Sequence, residues 1–312
     1  MRISSSMLTD NLISQMNQLQ GRQIQLQNQV TTGLKVTLPE DDPAAMNQVL
    51  GLQTEDAANT QYQSNITQLQ GAATTAANAM NSLQTITEQA GEIATEAGGV
   101  NASSQLSTYA TQVGNLIQEA LQAANTQDAQ GNYIFGGTID NKTPFTAATD
   151  SSGNVTAVTY NGNTGVSESQ IGPGQTVSAQ VPGENTTGSG PAGLLADSRS
   201  GADLFRDLIS LQQNLLSGNT AAIASTDSPN LSTDENNIVS NIAANGVLQS
   251  TLESAGTTAT QLGTAITTQT SNLTSADLAT ALTQLDQTQT AYQAAMQSGV
   301  MIMNMSILDF LQ

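Results

Sequence analysis

Apolar side chains recur at alternating intervals of three and four residues along most of this 312-residue chain, and the intervals predict helices at both ends. Near the start, Thr9, Leu12, Met16, Leu19, Gln23, Leu26 and Val30 trace one stripe. The opposite face is almost all Gln, Asn and Ser, and Gly33 ends the pattern. Leu278, Leu282, Leu285, Gln289, Tyr292, Met296, Gly299, Met303, Ser306 and Phe310 trace a second stripe, with Thr274 or Ser275 as its cap and Asp277 in its first turn. A stripe this narrow is the seam of a coiled coil and needs a partner; the blander use is packing against the helix's own domain. Met296, Met301, Met303 and Met305 crowd this second helix, where Met suits either an adaptable interface or the filling of core gaps.

Inside these ends lies a second pair of helical blocks. Asp42 and Pro43 make a good helix start, one as cap and the other as first residue. Tyr62, Ile66, Leu69, Ala73, Ala76, Met80, Leu83, Thr87, Ala90, Ala94 and Ala97 then line one face, up to a stop at Gly98-Gly99. At 1.5 Å per residue such a helix would run roughly 80 Å. A further helix carries Leu106, Ala110, Val113, Ile117, Ala120 and Ala124. From about Ser200, Leu204, Leu208, Leu211 and Leu215 predict a short helix ended by Gly218. Ser232-Thr233-Asp234-Glu235 has the form of a capping box, opening a long helix through Ile238, Ile242, Leu248, Leu252, Ala255, Ala259, Leu262 and Ile266.

The middle changes period. Val155–Tyr160 alternates as a strand does, Asn161-Gly162 offers a hairpin turn, and Pro173-Gly174 offers another. Residues 183–193 look like a flexible connection. The expected fold is mainly α: a long antiparallel helical coiled-coil rod with its N- and C-terminal helices paired, plus a small inserted β domain. Its parts are terminal coiled-coil arms over 1–42 and 273–312, a helical stalk over 43–137 and 198–272, and the β insertion over 138–197.

Composition narrows the chemistry. Aromatics are 3% of the chain and Trp is absent, so small side chains and aliphatics must supply the packing. With no Cys and no His, thiolate, disulfide and imidazole chemistry are excluded. A formal charge of −19 repels phosphate backbones, so no nucleic-acid partner is expected. The N-terminal stretch is nonetheless basic, with Arg2, Arg22 and Lys35 against Asp10, whereas Asp277, Asp286 and Asp309 make the C-terminal stretch acidic. No apolar run reaches the 18 residues a membrane span needs, and the first thirty residues lack the apolar region of a cleaved signal peptide.

Candidate motifs weaken on inspection. Residues 188–193 match GxGxxG as a string, but Pro191 interrupts it and no strand–turn–helix context surrounds it. Asp41-Asp42 and Glu55-Asp56 have no basic neighbour to tune them and suit a cap and a solvated face better than acid–base chemistry. Residues 150–154 resemble a calcium loop without its terminal Glu. No catalytic residue, metal site or cofactor is expected.

Several segments together resemble the flagellin family, in its hook-associated branch. They are Met1-Arg2-Ile3-Ser4 with Ser6-Met7, Thr32-Gly33-Leu34-Lys35-Val36, Pro39-Glu40-Asp41-Asp42-Pro43-Ala44-Ala45, Gly131–Thr138 with Thr143-Pro144-Phe145, Ile171–Val177, Thr288–Ala295 and Ser306–Leu311. Glu40 stands where that family commonly has Ser. Flagellin proper shares the early segments but typically ends in an Arg-bearing Leu run and lacks the Tyr133-Ile134-Phe135-Gly136-Gly137 feature, which makes a filament subunit the alternative reading. An enzyme carried in the β insertion is the competitor from another class. The resemblance implies a secreted, self-assembling structural protein at the hook–filament junction of the bacterial flagellum, forming a ring or helical array. It further implies type III export with a chaperone on the C-terminal helix, a hook-associated neighbour on the hook side and flagellin on the filament side. The implied assembly seam is Leu12, Met16, Leu19, Leu26, Val30, Leu282, Leu285, Tyr292, Met296, Met303 and Phe310, on arms that fold when neighbours cover them.

Overall fold

The computed structural model describes residues 5–98 and 103–310. Met1–Ser4, Gly99 and Leu311, on which parts of the sequence reading fall, lie outside them. Among the described residues the chain is mainly α with a small β region. The helices are α1 (Ser5–Thr32), α2 (Pro43–Gly98), α3 (Ser103–Ala124), α4 (Leu204–Ser217), a short α5 (Thr220–Ala222), α6 (Ser228–Thr274) and α7 (Leu278–Phe310). One π-helical turn, Ile223–Asp227, joins α5 to α6. The chain divides into two compact units, Met1–Ala58 with Leu262–Gln312, and Asn59–Gln261.

Within the unit Asn59–Gln261, the stripe expected on α2 is buried from Ile66 through Ala97, Tyr62 being half-buried. From Ala76 onward it forms one cluster with the α3 residues Leu106, Ala110, Val113, Ile117, Ala120 and Ala124 and with Leu204, Leu208, Leu211 and Leu215 of α4. Ala at every second or third contact lets the helices approach closely, the packing a chain short of aromatics requires. Asp203 caps α4 by accepting from the Arg206 N–H, and Gly218 (φ 72°) ends it in the left-handed conformation that favours glycine.

Four expectations are corrected. The Ser232–Glu235 segment is not a cap: α6 starts at Ser228, because the π-helical turn delivers a helical backbone to that point without a break. Asn161-Gly162 is not a hairpin turn. The strand β2 (Val155–Tyr160) pairs antiparallel with β1 (Phe145–Thr149), which precedes it, and the turn between them is Asp150–Asn154. Asp150 Oδ1 accepts from the Ser152 and Asn154 N–H groups, and Gly153 takes φ 87°, so the segment resembling a calcium loop is a self-bonded turn. Residues 183–193 are not a flexible connection. Glu184–Asn185 form β5, pairing parallel with β6 (Ala196–Asp197), which pairs antiparallel with β7 (Ala202–Asp203). Asn185 is fully buried and donates to the Ser189 and Pro191 carbonyls. Residues 188–193, the GxGxxG string, therefore close a loop onto β5 and open no helix. The fourth correction, the cap of α7, is described with that helix below. Pro173-Gly174 does turn a hairpin, between β3 (Ser169–Gly172) and β4 (Gln175–Val177).

The strands have no apolar core to themselves. Phe145 and Val155 join the α2–α3–α4 cluster, with the Phe145 ring 5.0 Å from Tyr160 and 5.4 Å from Phe205. Ile171 and Ala179 join a second cluster with Ile66, Leu69, Ala73, Leu252 and Ala259. Burial pushes the Tyr160 hydroxyl up to about 12, and it donates to the Phe135 and Asn163 carbonyls. Because Leu211 is completely buried in the three-helix cluster, Leu211→Ala is expected to cost about 2–5 kcal/mol, read as a lower urea midpoint.

Candidate assembly interface

The unit that holds both chain ends is built on α1 and α7. The stripe on α1 is amphipathic enough to be covered from one side, and α7 covers it. Gly33 ends α1 with φ 72°, its N–H donating to the Gln29 carbonyl at 2.8 Å. Beyond it the backbone of Leu34 bridges Ser275 in antiparallel fashion, with Lys35 N–H donating to Thr274 O (2.7 Å) and Ala276 N–H to Gly33 O (2.8 Å). Toward the other end, a Cβ built on Gly299 would stand 2.8 Å from Leu12 Cδ2. These two fixed points make the helices antiparallel. They also set the register between the two helices.

Capping fixes where each helix begins. Asp42 Oδ1 accepts from the Ala44 and Ala45 N–H groups at 3.0 Å, with Pro43 as the first residue of α2, as its sequence predicts. For α7 the cap is neither Thr274, which is the last residue of α6, nor Ser275. Asp277 caps it, accepting from the Ala279 and Thr280 N–H groups and the Thr280 hydroxyl, because only its carboxylate reaches the first turn. The Thr280 hydroxyl and then its N–H hold Asp277 below the usual carboxylate range, as the Thr37 and Leu38 N–H groups hold Asp41. Lys35 Nζ donates to the Asn272 carbonyl (3.3 Å), placing a cation over the end of α6.

The seam residues separate into three groups. Leu26 is buried at 5% exposure, and Leu12, Met16, Leu19, Val30, Leu285 and Tyr292 are half-buried, so pairing within one chain already covers much of this stripe. Leu282 (48%) and Met296 (49%) lie off it and stay exposed. The line that α7 presents to α1 runs through Ala281, Leu285, Thr288, Tyr292, Ala295 and Gly299, shifted by one residue from the predicted stripe at Leu282 and Met296. Small residues at 281, 295 and 299 let the backbones approach, an advantage that apolarity alone does not signal. The third group is Met303 and Phe310, whose side chains, like that of Thr9, lie outside the described residues although their backbones belong to the helices.

Several large apolar side chains remain uncovered. Leu278, Leu282, Met296, Val300 and Met301 on α7 and Ile13 and Ile24 on α1 are 47–65% exposed. The ion pairs among the described residues all lie at 197–207, away from the two terminal helices. Among the described residues no group of His, Cys, Asp and Glu is placed to hold a metal, and no helix is long and apolar enough to cross a membrane.

Comparison with known proteins follows the same lines. The family profile for the bacterial flagellin N-terminal helical region matches residues 3–140. Flagellar hook-associated protein 3 of Salmonella typhimurium is 30% identical over 150 residues, 48% of this chain and 47% of that protein. The chain thus spans about half the length of the curated relatives it matches. Among solved structures, a protein of Vibrio parahaemolyticus assigned as flagellar hook-associated aligns with TM-score 0.64 at 19% identity, covering 75% of this chain and all of that one. Bacillus cereus FlgL aligns with TM-score 0.57 at 17% identity, covering 71% and 99%. At these identities the structures speak for the fold.

The two classes of seam residue are separable by mutation. Leu26→Ala is expected to cost about 2 kcal/mol or more and to lower helical ellipticity through loss of the α1–α7 pairing, while Leu282→Ala leaves the spectrum and its thermal midpoint unchanged.

Proposed function

We propose that this chain is a member of the flagellin family and a structural subunit of the bacterial flagellum that joins hook to filament by self-assembly. The observation that carries the reading is the apolar flank left on the paired terminal helices. Exposed large side chains at 278, 282, 296, 300 and 301, on a helix whose other face is already seated on α1, are what a subunit presents to copies of itself. A patch that fits a different patch on the next copy propagates as a ring or helical array rather than closing as a two-fold dimer. The hook-associated relatives favour the junction over the bulk filament as the place of assembly.

On this reading the hook side meets another hook-associated protein and the filament side meets flagellin. The chain reaches that site by flagellar type III export, with a chaperone on the C-terminal helix until release. The assembly seam comprises the α1–α7 stripe together with its flank, and neighbours complete what the intramolecular pairing begins. Helices held by one narrow seam are marginal in isolation, which suits a segment that must pass unfolded through a channel and order on arrival. No step of this function calls for catalysis or a cofactor.

Leu282→Asp and Met296→Asp are expected to leave the monomer's unfolding free energy within about 0.5 kcal/mol of wild type. They should nonetheless abolish incorporation, scored as hooks without filaments and flagellin shed into the medium. Filaments of normal length on either variant would exclude the flank as the joint. Brief proteolysis of the monomer should remove residues 1–40 and 275–312 before cutting α2, α3 or α4; equal resistance throughout would contradict ordering on assembly.

A further inference from the structure

Residues 193–207 meet α6 through apolar Leu231 and Ile238 and through a polar line beside them. Asp234 and Asn237 make its contacts to this segment, and Asn241 and Asn245 continue it along α6; all four are buried. Asp234 Oδ1 accepts from the Asp203 N–H at 2.7 Å. Asn237 Nδ2 donates to the carbonyls of Gly193 (2.9 Å) and Leu194 (2.8 Å), and Ser200 Oγ donates to Asn237 Oδ1 (3.2 Å). One turn earlier, Asn230 Nδ2 donates to Asp207 Oδ1 (3.2 Å). These bonds seat the segment that leads from the strands into α4, and α4 itself, on α6.

Charge does not balance at this contact. Asp203 from β7, Asp207 from α4 and Asp234 from α6 lie together, and Glu184 from β5 adds its charge beside Asp203. The cation among them is Arg206, which is 60% exposed and pairs with Asp207 (3.1 Å) and Asp203 (3.5 Å). Asp234 is 1% exposed, and its Oδ2 is buried with no hydrogen-bond partner. An ionised carboxylate there would lose its hydration on one oxygen while facing two like charges, whereas a neutral carboxyl loses far less.

We propose that a proton on Asp234 holds residues 193–207 onto α6, making this contact a latch that slackens as pH rises. Burial first, and the Asp207 charge second, push the Asp234 carboxyl up to about 8; the hydrogen bond from the Asp203 N–H and, more weakly, the Arg206 charge oppose this. With the segment lifted away, the same carboxyl titrates in its ordinary range near 3.8. Between these limits the closed form carries a proton that the open form has lost. The stabilisation is therefore complete in acid, declines as pH climbs, and is gone above about 8. Asp203 is also raised by burial, which acts in the same direction. Asp197, nearby on β6, is held down at about 2 by its hydrogen bonds from Arg199 and stays ionised across this window.

Hydrogen exchange on the full chain between pH 5 and pH 9, with each amide corrected for its intrinsic rate, tests the latch. In the wild type, the opening of residues 193–217 is expected to increase by about tenfold per pH unit before levelling off near pH 8. Asp234→Asn keeps the acceptor for the Asp203 N–H but cannot ionise, and its opening should lose most of its pH dependence, Asp203 leaving only a weaker trend in the same direction. Asp207→Asn keeps Asp234 and removes one like charge, so the levelling-off should move to lower pH; this variant decides the matter if Asp234→Asn does not fold. A wild-type profile flat in pH, or the same pH dependence in all proteins that fold, overturns the proposal.

Discussion

The antiparallel pairing of α1 with α7 covers one face of each helix and leaves the next face bare, and much else about this protein turns on that incomplete cover. Two fixed points define the pairing: the backbone bridge beyond Gly33 and the close approach of Leu12 to Gly299. Between them Leu26 is dry, while most of its neighbours on the stripe are only half-buried. A single seam of this kind gains little over the conformational entropy of ordering two helices. Contacts with further copies, as proposed above, would add the surface that this seam lacks.

The unit Asn59–Gln261 solves its packing in the opposite way. Its helices bury complete faces, with Ala at position after position and Leu filling the spaces between. The strands contribute Phe145, Val155 and Ile171 to helical clusters instead of building a core of their own. This makes the β region an extension of the helical framework, fastened on one side by aromatic contacts with Phe205 and on the other by the polar stripe of α6.

Polar fastening has a consequence that apolar packing lacks. Hydrogen bonds through Asn237 and Asn230 specify one seating of residues 193–207. The carboxyl of Asp234 makes that seating sensitive to protons, because burial and like charge act on it together. The large side chains left exposed on α7, Leu278, Leu282, Met296, Val300 and Met301, do not titrate.

Periodicity was enough to place α1, α2, α3, α4 and α7 and the buried stripe from Ile66 to Ala97, because a face covered along its whole length must repeat at the helical period. It was also enough for the caps at Asp42 and Gly218, which satisfy backbone groups locally. Tertiary structure alone decided which side of α7 meets α1, since Ala281, Ala295 and Gly299 win their places by being small while Leu282 and Met296 look more apolar. It alone decided that Phe145–Thr149, not the residues after Asn161-Gly162, would pair with Val155–Tyr160, because both neighbours offer a turn and only one brings Phe145 to Phe205. Asp234 shows the limit most clearly: its sequence context reads as an exposed cap, and the π-helical turn before α6 carries it into the interior, where its partners are 31 residues away.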